Sequence, residues 1–446
     1  MTDARGGVMQ TSGRSQLPRW PLFAAFALYP LWWVLGLGSI AWIPLGACMA
    51  VLLARRGGVR MPTGLGIWFL FLLLMCVSVI GLDSPGRLIG FIYRALLYAS
   101  VTTVFIYVYN ARDRLTFRYV LSLVTVFWGF AVAGGFAGIF FPTFSFRTPL
   151  GLIVPSSLEA NELVGEMVVR RMTQYNPDSW LALEPRPSAP FLYTNQWGNV
   201  YSLCLPMVVA YTRELVLGKD LKKALAVSCV LLLSLVPALL TLNRGMFLGI
   251  AVAVAYVLVR FILAGRLGQV AWILAAGGVT GGVVVWLGVG SRLEERTTTS
   301  SSTEDRASLY RETLDRTLDS PLFGYGAPRP SVTEGLPSAG TQGHIWMVMF
   351  SHGLPALAIF LLSLVWFVFA TARVRNTSQL LVHAVQVVIL TEVMYYGVLP
   401  NGLILSFTAA ALLLRERDSR READSAEQRV TSAPIGRRSD GSLLDV

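Results

Sequence analysis

Charge is scarce in this chain: only 14% of its 446 residues are Asp, Glu, Lys or Arg, while 54% are hydrophobic. That is too little charge to cover one or two soluble domains, and it implies lipid as the solvent. Cysteine is scarce too. Cys48, Cys76, Cys204 and Cys229 all fall inside apolar runs, so the polar loops have none to join, and neither a disulfide framework nor a cysteine metal site is expected. Histidine occurs three times, at 344, 352 and 383. No glycine-rich phosphate loop, nucleophile elbow or nucleotide-binding fingerprint is present, and no repeat of fixed period.

What the chain does have is a series of apolar runs. A hydrocarbon core of about 30 Å takes roughly 20 helical residues, and twelve runs approach that length: 21–37, 39–54, 65–81, 88–109, 119–141, 195–212, 223–242, 245–263, 269–290, 346–370, 379–397 and 402–414. This predicts an all-α polytopic membrane protein of about twelve transmembrane helices. The formal charge of +11 reads as topology and not as a nucleic-acid surface, because the basic residues sit in short clusters between the runs. With a cytoplasmic N-terminus, the inner loops carry Arg55, Arg56 and Arg60; Arg112, Arg114 and Arg118; Arg213, Lys219, Lys222 and Lys223; Arg260 and Arg266; Arg373 and Arg375. All three lysines then lie inside. The expected organisation is a cytoplasmic N-terminal tail over 1–20, a membrane domain over 21–414 and a charged, disordered cytoplasmic tail over 415–446.

Two long segments, 142–194 and 291–345, face outward in this scheme. In the first, Leu158, Leu163, Val164, Met167 and Val168 recur at helical spacing, which predicts an amphipathic helix on the outer face. Pro185, Pro187 and Pro190 then stiffen an extended approach to the next span. In the second, a polar TTTSSST linker precedes a helix from Glu304 to about Leu318, with Ala307, Tyr310, Leu314 and Leu318 along one side.

The residues that carry chemistry gather at outer boundaries. Arg244 stands in TLNRGMF, in a connection barely long enough to turn; it either snorkels to the interface or meets an anion. Arg186, Arg306 and His344 occupy comparable positions, and a guanidinium fork suits phosphate oxygens. His344 has two readings, a general base or an interfacial histidine bonded to a backbone carbonyl. His352 lies deeper and is expected to bond within the bundle, and His383 reads as structural. Arg94 and Glu392 are the strong charges inside predicted spans, open to a structural pairing or a functional role; Glu392 is placed to orient one of the arginines, and Arg311 to support them. The outer carboxylates Glu294, Glu295, Glu304 and Asp305 lack a histidine at ligand spacing and read as solvated, so no metal site is expected.

Four stretches in this order, RPSAPFLYTNQWGNVYSLCLP at 186–206, TLNRGMFLGI at 241–250, DRASLYRETLDRTLDSPLFGYG at 305–326 and GHIWMVMFSHGLPALAIF at 343–360, resemble the O-antigen ligase and Wzy-type polysaccharide polymerase superfamily. The resemblance covers residues 186–360, and within it Arg186, Arg244, Arg306 and His344 match the family's arginine and histidine positions. Asn243 stands where a serine is usual, Ile345 where an asparagine follows the histidine, and His352 where an acidic residue is common. These departures leave subfamily and acceptor open.

The resemblance implies an architecture like the lipid-dependent GT-C-type glycosyltransferases and a bacterial inner-membrane enzyme, both termini cytoplasmic, working on the outer face. It implies a polyprenyl-diphosphate-linked glycan donor, a glycan or glycolipid acceptor, and no metal or other cofactor. Flippase or chain-length proteins are the implied protein partners. His344 would act as base, and Arg186, Arg244 and Arg306 would hold the diphosphate. The competing reading is a transporter or lipid-glycan flippase, which should show paired halves with broken helices at the midplane; here the polar candidates gather at one face.

Overall fold

The computed structural model describes residues 16–159, 161–174, 185–286, 302–333 and 335–431, and within them each of the twelve apolar runs is helical. Six helices are long and apolar enough to cross a membrane by length and composition: Pro85–Asn110, Phe117–Phe140, Thr194–Leu217, Leu221–Leu240, Arg244–Leu263 and His344–Thr371. The fold is that of an all-α membrane protein. Other runs are shorter or broken for local reasons. The first divides into Trp20–Ala27 and Tyr29–Val34, with Pro30 opening the second piece. The third passes from Gly66–Val77 into a 3₁₀ turn, Ser78–Gly81.

Thr194–Leu217 runs through the centre, packed against Phe117–Phe140, Arg244–Leu263, Thr377–Glu392 and Asn401–Thr431. Its Trp197 and Tyr201 are buried and stacked, with ring centroids 5.0 Å apart. Small residues let the backbones approach. A Cβ at Gly198 would collide with the Asn243 side chain, and one at Gly249 with the Glu392 carboxyl.

His344–Thr371 is kinked where Gly353 adopts φ 84° two residues before Pro355. The ring removes the N–H that would serve the Ser351 carbonyl, and the kink turns the Leu354 N–H away from the helix. All the freed groups are satisfied by the loop after Ser302–Asp319. Tyr325 N donates to Phe350 O at 3.0 Å, Gly326 N to Ser351 O at 2.7 Å, and Leu354 N to Pro321 O at 2.8 Å. A side chain at Gly353 would strike the Leu322 carbonyl, so the kink and the loop require each other.

The basic loops meet at one end of the bundle. Asn110 brackets the Arg60 backbone at 2.9 and 2.8 Å, Arg118 pairs with Asp220 at 3.1 Å, and Arg266 bonds Thr377 at 3.3 Å. The chain beyond Arg415, expected to be disordered, continues this end as helix to Thr431. The reason is tertiary: Arg415 Nη1 donates to Val108 O at 3.0 Å, Tyr109 to Asp418 at 2.8 Å, Arg112 to Ser419 at 2.6 Å, and Arg60 pairs with Glu422 at 3.1 Å. Residues 432–446 and 1–15 of the predicted tails lie outside the described residues, as does 287–301.

The outer segments differ from expectation in detail. The amphipathic helix of the first is interrupted at Asn161, which caps Glu162–Val168 by accepting from Val164 N, and it gives way to a strand, Val169–Arg171, antiparallel to Ser145–Arg147. Asparagine favours the cap and the β-branched Val168–Val169 step the strand. In the second, Ser302–Asp319 buries Leu309, Thr313 and Thr317, whereas Leu314 and Leu318 are exposed. The loop after this helix sets its buried face: Gly340 N donates to Thr313 Oγ1, and Glu312 accepts from Ser331 and Val332 as well as from Arg316. Burial alone would raise the Glu312 pKa, but those donors outweigh it and hold the carboxyl below its ordinary value.

Candidate functional site

Several helix ends converge at the end of the bundle opposite the basic loops. His344 opens its helix and is fully buried. Its backbone N–H donates to Tyr396 O at 2.8 Å, and the Tyr396 hydroxyl donates to Asn243 Oδ1. Asn243 precedes the first residue of Arg244–Leu263 and donates through Nδ2 to Thr194 O at 3.1 Å, at the start of the central helix. Thr194 N in turn donates to Gln174 Oε1 at 3.2 Å, while Gln174 N donates to Arg186 O at 2.8 Å. Arg186, Arg244 and His344, predicted to share one side of the membrane, are thus tied to one hydrogen-bonded collar.

Their side chains are placed differently. Arg244 is exposed, and among the described residues nothing bonds to its guanidinium. Arg186 is half-buried and engaged. Arg306 belongs to the helix Ser302–Asp319, and its side chain lies outside the described residues. That helix docks beside His344 by Tyr310, which stacks on Trp346 at 4.3 Å and donates to Gln342 O at 3.1 Å. Arg311 is exposed on the same helix.

Glu392 is buried, but it does not orient an arginine. Its carboxyl accepts from Asn199 Nδ2 at 2.6 Å and Ser202 Oγ at 2.5 Å, pinning the central helix to Thr377–Glu392. No ion pair involves it among the described residues. Hydrogen bonding by neighbours on the facing helix satisfies the group without a counter-ion. His352 bonds Ser78 at 2.7 Å and His383 bonds Thr371 at 2.8 Å, so both serve the bundle.

The His344 imidazole has Nε2 2.9 Å from the Tyr98 hydroxyl, while Nδ1 has no partner among the described residues. The ring borders a cavity of about 160 Å³ whose wall includes Arg94, Arg170, Tyr29, Tyr93, Gln196 and Asn401. Sequence reasoning missed Tyr98, Arg170 and Asn401. Tyr98 follows Arg94 by four residues, one turn along the same helical face, which is the signal that a charge inside a span has company. Arg170 carried none, since VVRRM reads as the edge of an amphipathic helix. Among the described residues no three His, Cys, Asp or Glu side chains converge as a metal site would need.

Residues 229–361 match the family model for O-antigen ligase. The match includes Arg244, Arg306 and His344 and stops short of Arg186, Arg94, Tyr98 and Arg170. No curated protein and no solved structure matches the chain.

Proposed function

Proceeding from the match of residues 229–361 to the O-antigen ligase family model, we propose that this chain is a twelve-span inner-membrane protein that transfers a glycan from a polyprenyl-diphosphate donor to an acceptor hydroxyl on the outer face, as a ligase or polymerase of surface polysaccharide. The acceptor oxygen attacks the anomeric carbon, the bond from that carbon to the diphosphate oxygen breaks, and polyprenyl diphosphate leaves with the bonding pair. The acceptor proton goes to His344. The supporting observation is that His344, a residue of the cavity wall, has a buried Nδ1 with no partner among the described residues and sits in a collar that also carries the Arg186 and Arg244 backbones.

The tautomer follows from this role. For Nδ1 to hold the accepting lone pair, Nε2 carries the proton and donates to Tyr98, which fixes the ring. Arg244 and Arg306, with Arg186 alongside, neutralise the departing diphosphate in place of a divalent cation. An exposed guanidinium such as Arg244 is available to an arriving headgroup.

The test is transfer by the purified protein in lipid with a polyprenyl-diphosphate glycan, an acceptor and a chelator. Polyprenyl diphosphate should appear in step with glycan transferred. His344→Gln should lower the rate by about 10²–10⁴ while donor still binds. Wild-type activity should fall on the acid side as the imidazole takes up a proton, a limb the variant lacks. Near-normal transfer by His344→Gln with the same acid limb would remove His344 as the base.

A further inference from the structure

We propose that Arg94 and Arg170 form a subsite for a phosphate or diphosphate group in the cavity beside His344. The two come from different parts of the chain, Arg94 from Pro85–Asn110 and Arg170 from the strand Val169–Arg171, and both face the same space.

Arg170 has Glu166 as a charge neighbour beyond contact distance, and Arg94 has no acid neighbour among the described residues. Among the described residues no carboxylate lies within 4.0 Å of either guanidinium. Glu166, the acid near Arg170, has its carboxyl on Arg171 at 2.7 Å. Glu392 is held by Asn199 and Ser202. Arg170 is 3% exposed and donates to the carbonyls of Glu166 and Gly36 at 3.1 and 3.2 Å, which leaves Nε buried with no partner. Arg94 makes one long bond, Nη1 to Gly90 O at 3.3 Å. The Arg170 guanidinium is withdrawn from water, Arg94 is half-buried, and both line one cavity, an arrangement that an anion joining them would stabilise.

The rest of the wall suits an anion. Asn401 accepts from Trp42 Nε1 at 2.9 Å through Oδ1 and is also hydrogen-bonded to the Tyr29 side chain, which holds its amide in place at the wall. No carboxylate lines the space. A cavity of about 160 Å³ is roughly ten times what a single water requires. Planar N–H forks bind tetrahedral oxyanions through paired oxygens, and the choice of phosphate over another oxyanion rests on the transfer reaction proposed above. Two sources share this chemistry: the diphosphate of the lipid-linked donor and a phosphate on the acceptor.

The experiment uses the full chain in detergent with inorganic diphosphate as probe, read by thermal unfolding, and then steady-state transfer. Diphosphate should raise the Tm of the wild type and leave Arg94→Gln and Arg170→Gln unshifted. A rise of about tenfold or more in the donor KM of Arg94→Gln, with acceptor KM unchanged, assigns the subsite to the donor. The same rise in acceptor KM alone assigns it to a phosphorylated acceptor. Arg170→Gln also unties Gly36, so if that variant fails to fold the Arg94 substitutions decide. Arg94→Lys keeps the charge without the fork and should fall between wild type and Arg94→Gln. A wild type that diphosphate does not stabilise, or variants that respond as the wild type does with both KM values unchanged, overturns the subsite. The binding readout needs no turnover. Arginine-dependent stabilisation in a protein that transfers no glycan faults the proposed reaction and leaves the subsite standing, whereas transfer without stabilisation does the reverse.

Discussion

The two ends of the bundle both use arginine, and they use it in different ways. At the basic-loop end, Arg118 meets Asp220, Arg60 meets Glu422 and Arg420 meets Glu416, while Arg415 and Arg417 close on helix carbonyls. At the His344 end, arginines away from the cavity are paired too: Arg147 with Glu159, Arg171 with Glu166, Arg316 with Glu312, and Arg87 and Arg329 with Asp83. Arg94 and Arg170 line the cavity and, like Arg415, close on backbone carbonyls, while Arg244 is exposed with nothing bonded to its guanidinium among the described residues. Arg94, Arg170 and Arg244 have no carboxylate within 4.0 Å among the described residues and lie around a histidine with one free ring nitrogen, the region where the proposed anion would bind. The difference teaches that the informative signal is the unpaired cation, and that abundance of arginine carries little.

Substitutions at each end sharpen the contrast. The largest of these effects is expected for Arg244→Lys. A lysine keeps the charge and loses the planar fork, so transfer should drop by about 10–100-fold, the worth of one charge-assisted hydrogen bond, with insertion into the membrane unchanged. Full transfer by the lysine variant would make Arg244 an interfacial anchor.

Asn243→Ala comes next. It removes the acceptor of the Tyr396 hydroxyl and the donor to Thr194 O, both buried. The cost should be about 1–3 kcal/mol of stability, read as a lowered Tm of the purified protein. Unchanged stability would mean that the collar does not hold these helix ends together.

Arg60→Ala should do least. Its pair with Glu422 has side chains 53% and 56% exposed, and such pairs contribute up to about 1 kcal/mol. Transfer should stay at the wild-type rate. A large loss of activity there would erase the distinction between the ends.

Much of this is legible in the sequence alone. The twelve apolar runs announce the helices because a span surrounded by lipid needs apolar residues all round, a signal that depends on no partner. Arg244 and His344 stand out because polar groups at the edge of apolar runs are rare. The pairing of Arg94 with Arg170 is not legible, since the two lie far apart in sequence and meet only through the path of the first outer segment. Glu392 misleads for a related reason. A carboxyl inside a span calls for a partner, and the sequence does not say whether that partner is an arginine or, as here, Asn199 and Ser202. The helical stretch from Arg415 to Thr431 is hidden likewise, because its charges read as solvated until Val108, Tyr109, Arg60 and Arg112 are seen to meet them.

The comparison of the two ends depends on their facing opposite sides of the membrane, with the unpaired cations on the outer side where flipped lipid-linked glycans are exposed. Cysteine labelling in right-side-out vesicles tests this most directly, with the four native cysteines replaced by alanine. Thr341 and Ser425 are exposed at opposite ends. A membrane-impermeant maleimide should label Thr341→Cys in sealed vesicles and Ser425→Cys only after permeabilisation. Labelling of Ser425→Cys in sealed vesicles, with Thr341→Cys protected, would place the His344 end in the cytoplasm and contradict the account.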